Sequence, residues 1–298
     1  MINSASLSRR AAAELIGTAA LLVVVIGSGI QAAALTADIG VALVANSLAS
    51  AIGLGLIITL FGPLSGAHLN PVVTLTAWWG RRTGGEGLDG REALVYVAAQ
   101  TAGAIGGAVL AEAMFGRVPG TFSTQVRDGG HLLVGEVVAT AGLVLVIQGL
   151  GRIGRPKLIP AAVAAYIAAA IWFTSSGSFA NPAGTIGRSF SDSFTGIAPQ
   201  SLPGFVAAQL LGGILGLTLA ALLYGTTRRA AAGSPAAKTG VADVADAIDT
   251  TDVAHATDAT EVTDVADVAG ASGPSGPSGI SRPVAETGPS GSAYQPVG

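Results

Sequence analysis

The chain has 298 residues, half of them hydrophobic and only 11% charged, and it contains no cysteine. Soluble domains carry about 25% charged residues, so the composition excludes an ordinary water-soluble globule, and the lack of thiols excludes disulfides, thiolate metal sites and thiol catalysis. The formal net charge of −3 averages a basic hydrophobic region with an acidic end segment, and no basic, aromatic-interleaved patch suggests nucleic-acid binding.

Arg9 and Arg10 precede a long apolar run, as in the first region of a signal peptide. The run is too long for one and lacks a clear cleavage signal, so it is expected to stay as the first membrane span. About 20 apolar residues cross a bilayer as a helix, and six segments qualify: 11–35, 40–61, 93–115, 131–150, 159–175 and 204–224. Two shorter segments lie between them. Segment 70–79 follows the second span and opens on His68-Leu69-Asn70-Pro71-Val72; segment 181–190 follows the fifth and opens on Phe179-Ala180-Asn181-Pro182-Ala183.

Neither short segment can cross a membrane. Asn is a preferred helix N-cap, and Pro suits the first helical position, which needs no N–H. Each Asn-Pro pair therefore predicts an abrupt helix start. If the Asn carbonyl caps the backbone, its NH₂ group can still donate outward. Non-helical backbone at membrane depth is tolerated where protein buries it or where it lines a wet cavity. Two half-length helices with positive dipole ends and outward amides would bind a neutral polar solute and repel a cation.

The two halves of the chain repeat. Glu14 lies in Ala-Glu-Leu-Ile-Gly-Thr-Ala and Glu136 in Gly-Glu-Val-Val-Ala-Thr-Ala; Gln100 and Gln209 each end a Val-Ala-Ala-Gln run that opens a Gly-rich span. Each half holds three spans, an odd number, so the second half is inverted relative to the first. Inverted repeats place their shared site near the midplane. Glu14 and Glu136 are either a proton relay or acceptors that brace the two Asn-Pro loops, and their symmetric placement favours bracing. His68 is either a shuttle or gate, or a vestibule histidine held by neighbouring backbone. Gly103, Gly106, Gly107, Gly212, Gly213 and Gly216 predict close helix contacts.

With six spans, Arg9, Arg10, Arg81, Arg82, Arg91, Arg152, Arg155, Lys157, Arg228 and Arg229 fall on one side, and only Arg117, Arg127 and Arg188 on the other. The positive-inside bias then puts both termini in the cytoplasm. Segment 229–298 is acidic, low in complexity and nearly free of aromatics, a composition expected to stay disordered. The organisation read from the sequence is a cytoplasmic N-terminus at 1–10, a channel domain at 11–228 with repeat halves near 11–115 and 131–224, and the acidic tail. The fold class is all-α: six transmembrane helices and two re-entrant half-helices in an inverted 3+3 repeat.

Ser65-Gly66-Ala67-His68-Leu69-Asn70-Pro71-Val72-Val73-Thr74 and Phe179-Ala180-Asn181-Pro182-Ala183 resemble the two signature loops of the aquaporin and aquaglyceroporin family, over about residues 11–224. The resemblance implies passive flow of water or small neutral solutes and a homotetramer in the cell membrane with one pore per subunit; the sequence offers no nucleophile–base–acid set or metal cluster, so neither an enzymatic step nor a cofactor is expected. It implies pore-lining backbone carbonyls at Gly66, Ala67, His68 and Leu69, and at Gly177, Ser178, Phe179 and Ala180. Two departures stand out. The first triplet ends in Val72 rather than Ala, and the position three after the second Asn is Gly184 where the family usually has a filter Arg. Arg188 shares a helix face with Asn181 and Gly184 and is expected about one turn, roughly 5–6 Å, farther toward the outer mouth. Carrying the other filter walls over by spacing gives Ser50, Ala169 and Ser178, so the resemblance implies a wide filter of small residues with no ring wall and no fixed charge. Part of the second loop resembles the bacterial branch associated with arsenical resistance, which adds undissociated metalloid acids such as arsenite to glycerol-like polyols as candidate solutes. An ion-coupled transporter built from inverted repeats is the alternative, with Glu14 and Glu136 as its coupling acids. A solute sensor signalling through the tail is a third reading.

Overall fold

A computed structural model describes residues 5–225; the expected 229–298 segment lies outside the described residues. The chain forms α1 (Leu7–Leu35), α2 (Ile39–Ser65), α3 (Pro71–Arg82), α4 (Gly90–Met114), α5 (Gly130–Arg152), α6 (Ile159–Phe173), α7 (Pro182–Arg188) and α8 (Leu202–Tyr224). Among the described residues, six helical stretches are long and apolar enough to cross a membrane, while α3 and α7, at 12 and 7 residues, are not.

The helices run past the hydrophobic segments of the sequence where capping residues allow it. Ser6 caps α1 by accepting from the Arg9 backbone, so the helix starts four residues before the apolar run. Asp38 caps α2, and that helix continues through Pro63 to Gly66, whose φ of 89° supplies the left-handed stop favoured at glycine. Asp89 and Glu92 form a capping box at the start of α4, satisfying two otherwise orphaned donors. Glu92 also pairs with Arg10, tying the ends of α1 and α4 together.

The packing repeats along with the sequence: α1 lies against α4, and α5 against α8. Both seams run over glycine. A Cβ at Gly103 or Gly107 would stand 2.2 Å from the Leu15 carbonyl oxygen or 2.3 Å from that of Ala19. At Gly212 and Gly216 it would meet the Val137 and Ala141 carbonyl oxygens at 2.6 and 2.5 Å. With any side chain at these positions the backbones could not approach, and in lipid close van der Waals packing takes over the role that hydrophobic burial has in water. Gly106 differs from its neighbours: a Cβ there meets nothing within 4 Å. Large apolar side chains such as Ile52, Leu56, Leu60, Leu211 and Ile214 face outward, as a lipid-facing surface requires.

Candidate functional site

The two short helices start at Asn-Pro for the reason their sequence suggests. Asn70 Oδ1 accepts from Val72 N at 2.9 Å and Asn181 Oδ1 from Gly184 N at 3.1 Å, with Pro71 and Pro182 in the first turns. The amide groups then reach across. Asn70 Nδ2 donates to the Ala180 carbonyl at 2.7 Å, and Asn181 Nδ2 donates to the Leu69 carbonyl at 2.8 Å. Each helix start is thus bonded to the loop that introduces the other. An amide NH₂ carries two protons, so one N–H of each Asn remains for a further acceptor.

The loops before these helices are held in an unusual backbone state. Ala67, Leu69, Ser178 and Ala180 have φ between 44° and 52°, at a cost of about 1–2 kcal/mol for each side-chain-bearing residue. The compensation comes from two fully buried acids. Glu14 Oε1 accepts from Ser65 Oγ at 2.6 Å and His68 N at 3.0 Å, while Oε2 accepts from Leu69 N at 2.7 Å and Gln100 Nε2 at 2.8 Å. Glu136 repeats the arrangement, with Phe179 N on Oε1 and Ala180 N on Oε2, both at 2.9 Å, and Gln209 Nε2 on Oε2 at 2.6 Å. The glutamines also donate to Thr74 and Thr185 in the helices that follow. Hydrogen bonds to a charged acceptor contribute about 1.5–3 kcal/mol each, so two per loop match the cost of two left-handed residues.

A cavity of about 2170 Å³ passes this junction. Ser50, Gly66, Ala67, His68, Leu69 and Asn70 line it from the first half, and Gly177, Ser178, Phe179, Ala180, Asn181, Gly184 and Arg188 from the second. Pro71, Val72, Pro182 and Ala183 are buried behind the surface, in the packing of the half-helices. Glu14 and Glu136 do not line the cavity. His68 does, its Nδ1 3.2 Å from Thr74 Oγ1 and its ring edge-on to Tyr96.

The structure does not bring Ala169 to the cavity, which corrects the position obtained by spacing. Ala169 is exposed on α6; Val163, Ile167 and Ile171 line the cavity instead. These three recur every four residues and share one face, whereas a residue two positions from Ile167 and two from Ile171 points the other way. The α6 contribution to the wall is therefore branched and apolar.

Arg188 lies on the same cavity as Gly184, its guanidinium carbon 3.4 Å from the centre of the Phe179 ring. Its Nε donates to the Thr195 carbonyl at 2.6 Å. A second guanidinium reaches this end of the cavity from the loop between α4 and α5. Arg127 has its guanidinium carbon 5.2 Å from the same ring centre, and donates from Nε to the Gly196 carbonyl at 2.8 Å and from Nη2 to the Phe194 carbonyl at 3.3 Å. Burial holds the Arg127 pKa below its ordinary value, against the opposing influence of Glu136. The loop that supplies these carbonyls is itself anchored. Glu112 accepts from Ser191 Oγ and pairs with Arg117 at 2.7 Å, while Asp192 Oδ1 accepts from the Thr124 backbone and hydroxyl. Sequence reasoning missed the roles of Arg127, Glu112 and the α6 isoleucines. The signal for Arg127 was its place among the three arginines on the side that otherwise carries none.

Comparison with known proteins agrees with this architecture. Residues 1–158 match the family described as "Major intrinsic protein". Aquaglyceroporin AqpS of Rhizobium meliloti strain 1021 is 48% identical over 214 residues, covering 72% of this chain and 89% of that one. Aquaporin AqpM of Methanothermobacter marburgensis is 30% identical over 247 residues, covering 74% and 97%. The X-ray structure of the aquaglyceroporin from Plasmodium falciparum superposes with a TM-score of 0.55 at 20% identity, over 74% of this chain and 97% of that one, which establishes a common fold. With six apolar helices, two half-helices and these relatives, the chain is a multi-pass membrane protein that belongs to the major intrinsic protein family of aquaporins and aquaglyceroporins.

Proposed function

We propose that the protein is a passive channel for water and small uncharged solutes, with glycerol-like polyols and undissociated metalloid acids such as arsenite as its solute class. The observation that carries this reading is the pair of half-helix starts bonded to each other's loops beside the cavity, each with one amide N–H to spare. A hydroxyl-bearing solute can accept from these N–H groups and donate to backbone carbonyls along 66–69 and 177–180, so it exchanges water for equivalent partners. A cation meets two helix N-termini and gains no carboxylate, since both buried acids spend their oxygens on loop backbone and glutamine. Named relatives support the polyol part of this solute class: besides the aquaglyceroporin above, the glycerol uptake facilitator of Streptococcus pneumoniae strain R6 is 31% identical over 153 residues, 46% of this chain and 62% of that one.

In this proposal Ser50, Ser178 and Gly184 form a wide constriction with the apolar α6 face, and Arg188 supplies a guanidinium from one turn beyond Gly184. Glu14 and Glu136 brace the loops. Residues 11–228 form the channel domain, 229–298 a tail outside it, and the chain assembles as a homotetramer in the plasma or inner membrane with both termini cytoplasmic. Stopped-flow measurement on proteoliposomes tests the reading, with water, glycerol and arsenite compared in the presence and absence of proton and sodium gradients. Gradient-independent flux of all three is expected. Flux that stops when either gradient collapses would instead identify a coupled transporter.

A further inference from the structure

One feature of the cavity is not required by passage of a neutral solute. Arg127 and Arg188 approach the same Phe179 ring, with guanidinium carbons 5.2 Å and 3.4 Å from its centre. They are held there by three consecutive carbonyls, those of Phe194, Thr195 and Gly196. Neither is in an ion pair among the described residues. The Glu136 carboxylate is turned to the Phe179–Ala180 backbone, with both oxygens occupied. Asp128 is exposed and does not line the cavity.

A guanidinium has five N–H donors. Arg188 uses one and Arg127 two on protein carbonyls. Neither contributes a nitrogen to the buried, unpartnered polar atoms, so the remaining donors open on the cavity that both residues line. Two like charges held this close repel each other. A neutral hydroxyl can satisfy the donors but leaves that repulsion intact. An oxyanion or carboxylate does both, and two guanidinium forks match the geometry of its oxygens.

We propose that the cavity mouth between Arg127 and Arg188 is a binding site for a small oxyanion or carboxylate from the aqueous phase. The proposal rests on the channel reading only for its consequence. An anion seated there meets backbone carbonyl oxygens of the Gly177–Ala180 loop if it moves inward, so it stops at the mouth and obstructs the solute path. The anion concentration on that side then sets how much of the channel is open.

The test uses the full chain and inorganic phosphate as probe. Binding is read from the thermal transition of detergent-solubilised protein in phosphate against chloride at equal ionic strength; this readout is independent of whether the protein conducts. Obstruction is read from glycerol entry into phosphatidylcholine vesicles, each variant normalised to its own phosphate-free flux. The expected result is a saturable phosphate-specific stabilisation and a parallel loss of glycerol flux in the wild type. Arg127→Gln and Arg188→Gln should each raise the half-effective phosphate concentration at least tenfold. Arg188→Lys keeps the charge but not the fork, and should raise it by a smaller factor; it serves in place of Arg188→Gln if that variant is not monodisperse. No phosphate-specific stabilisation of the wild type, or equal stabilisation of wild type and the Gln variants, overturns the site. Stabilisation that depends on both arginines without any glycerol flux to inhibit upholds the site and counts against the channel reading instead.

Discussion

Replacing Glu14 with Gln isolates the link between a buried carboxylate and the loop that starts α3. The two backbone donors, His68 N and Leu69 N, sit on different oxygens of Glu14. A glutamine has one carbonyl oxygen and one NH₂. The Ser65 hydroxyl can turn to accept, and Gln100, whose Oε1 has no partner, can flip its amide. Backbone N–H groups cannot adapt. Whichever way the introduced amide is placed, one of the two is left facing another donor. A buried donor without a partner costs about 1–3 kcal/mol. For a folded unit of about 150–250 residues each kcal/mol shifts the midpoint by about 2–4 °C, so Glu14→Gln should lower the transition by roughly 2–12 °C. Glu136→Gln should do the same, because Phe179 N and Ala180 N divide between two oxygens in the same manner. Glu14→Ala orphans both donors and should lose about twice as much. The assay is thermal unfolding of purified protein in one detergent, paired with glycerol flux per reconstituted channel, which should fall as the left-handed loop residues relax. A Glu14→Gln protein with wild-type transition and flux would refute the bracing argument, and would leave the left-handed conformations of Ala67 and Leu69 without a compensating interaction.

The packing of α4, α6 and α7 gives three more expected outcomes. Ile171→Ala should raise the ratio of glycerol to water permeability in vesicles by removing bulk from the cavity wall, whereas Ala169→Phe, on the exposed side of α6, should leave that ratio unchanged. Gly103→Ala places a methyl 2.2 Å from the Leu15 carbonyl oxygen and should cost about 1–3 kcal/mol of stability by overpacking; Gly106→Ala, three residues on and in open space, should be neutral or gain up to about 1 kcal/mol from helix propensity, both read by the same thermal assay. Gly184→Arg puts a Cβ 3.3 Å from the Asn181 side chain and adds a guanidinium near two others; vesicle assays should show loss of both water and glycerol flux rather than a selective loss of glycerol.

What the sequence reveals here is what it states twice. The Asn-Pro starts, the Glu and Gln positions and the glycine runs all recur at matching places, and each copy makes the other interpretable. Features without a repeat mate are hidden. Arg127 comes from a loop with no counterpart, and Glu112 anchors the segment after α7 only. Ala169 illustrates a different limit: spacing counted from Asn181 crosses the irregular stretch 174–180, and an error of two residues turns a helix position from the cavity to the outside. The sequence does contain a trace of the missed residues. Arg117, Arg127 and Arg188 are the exceptions to the charge asymmetry, and in the folded chain each is engaged, by Glu112 or by loop carbonyls.

The crossed bonds of Asn70 and Asn181 also impose an order on biosynthesis. Their partners are 110 and 112 residues away along the chain. At about 5–20 residues per second, roughly 5–20 s separate synthesis of the first helix start from arrival of the second. Throughout that interval the Leu69 carbonyl and the Asn70 amide have no partner in the nascent chain, although Glu14 and Ser65 are already present to shape their loop and Gln100 joins them before the second half arrives. The first half must therefore wait, open to water or held by the insertion machinery, until the inverted half arrives to close it. Neither half alone can complete a pathway, but two fragments divided in the loop between α4 and α5 carry every contact of the junction and should find each other within one membrane.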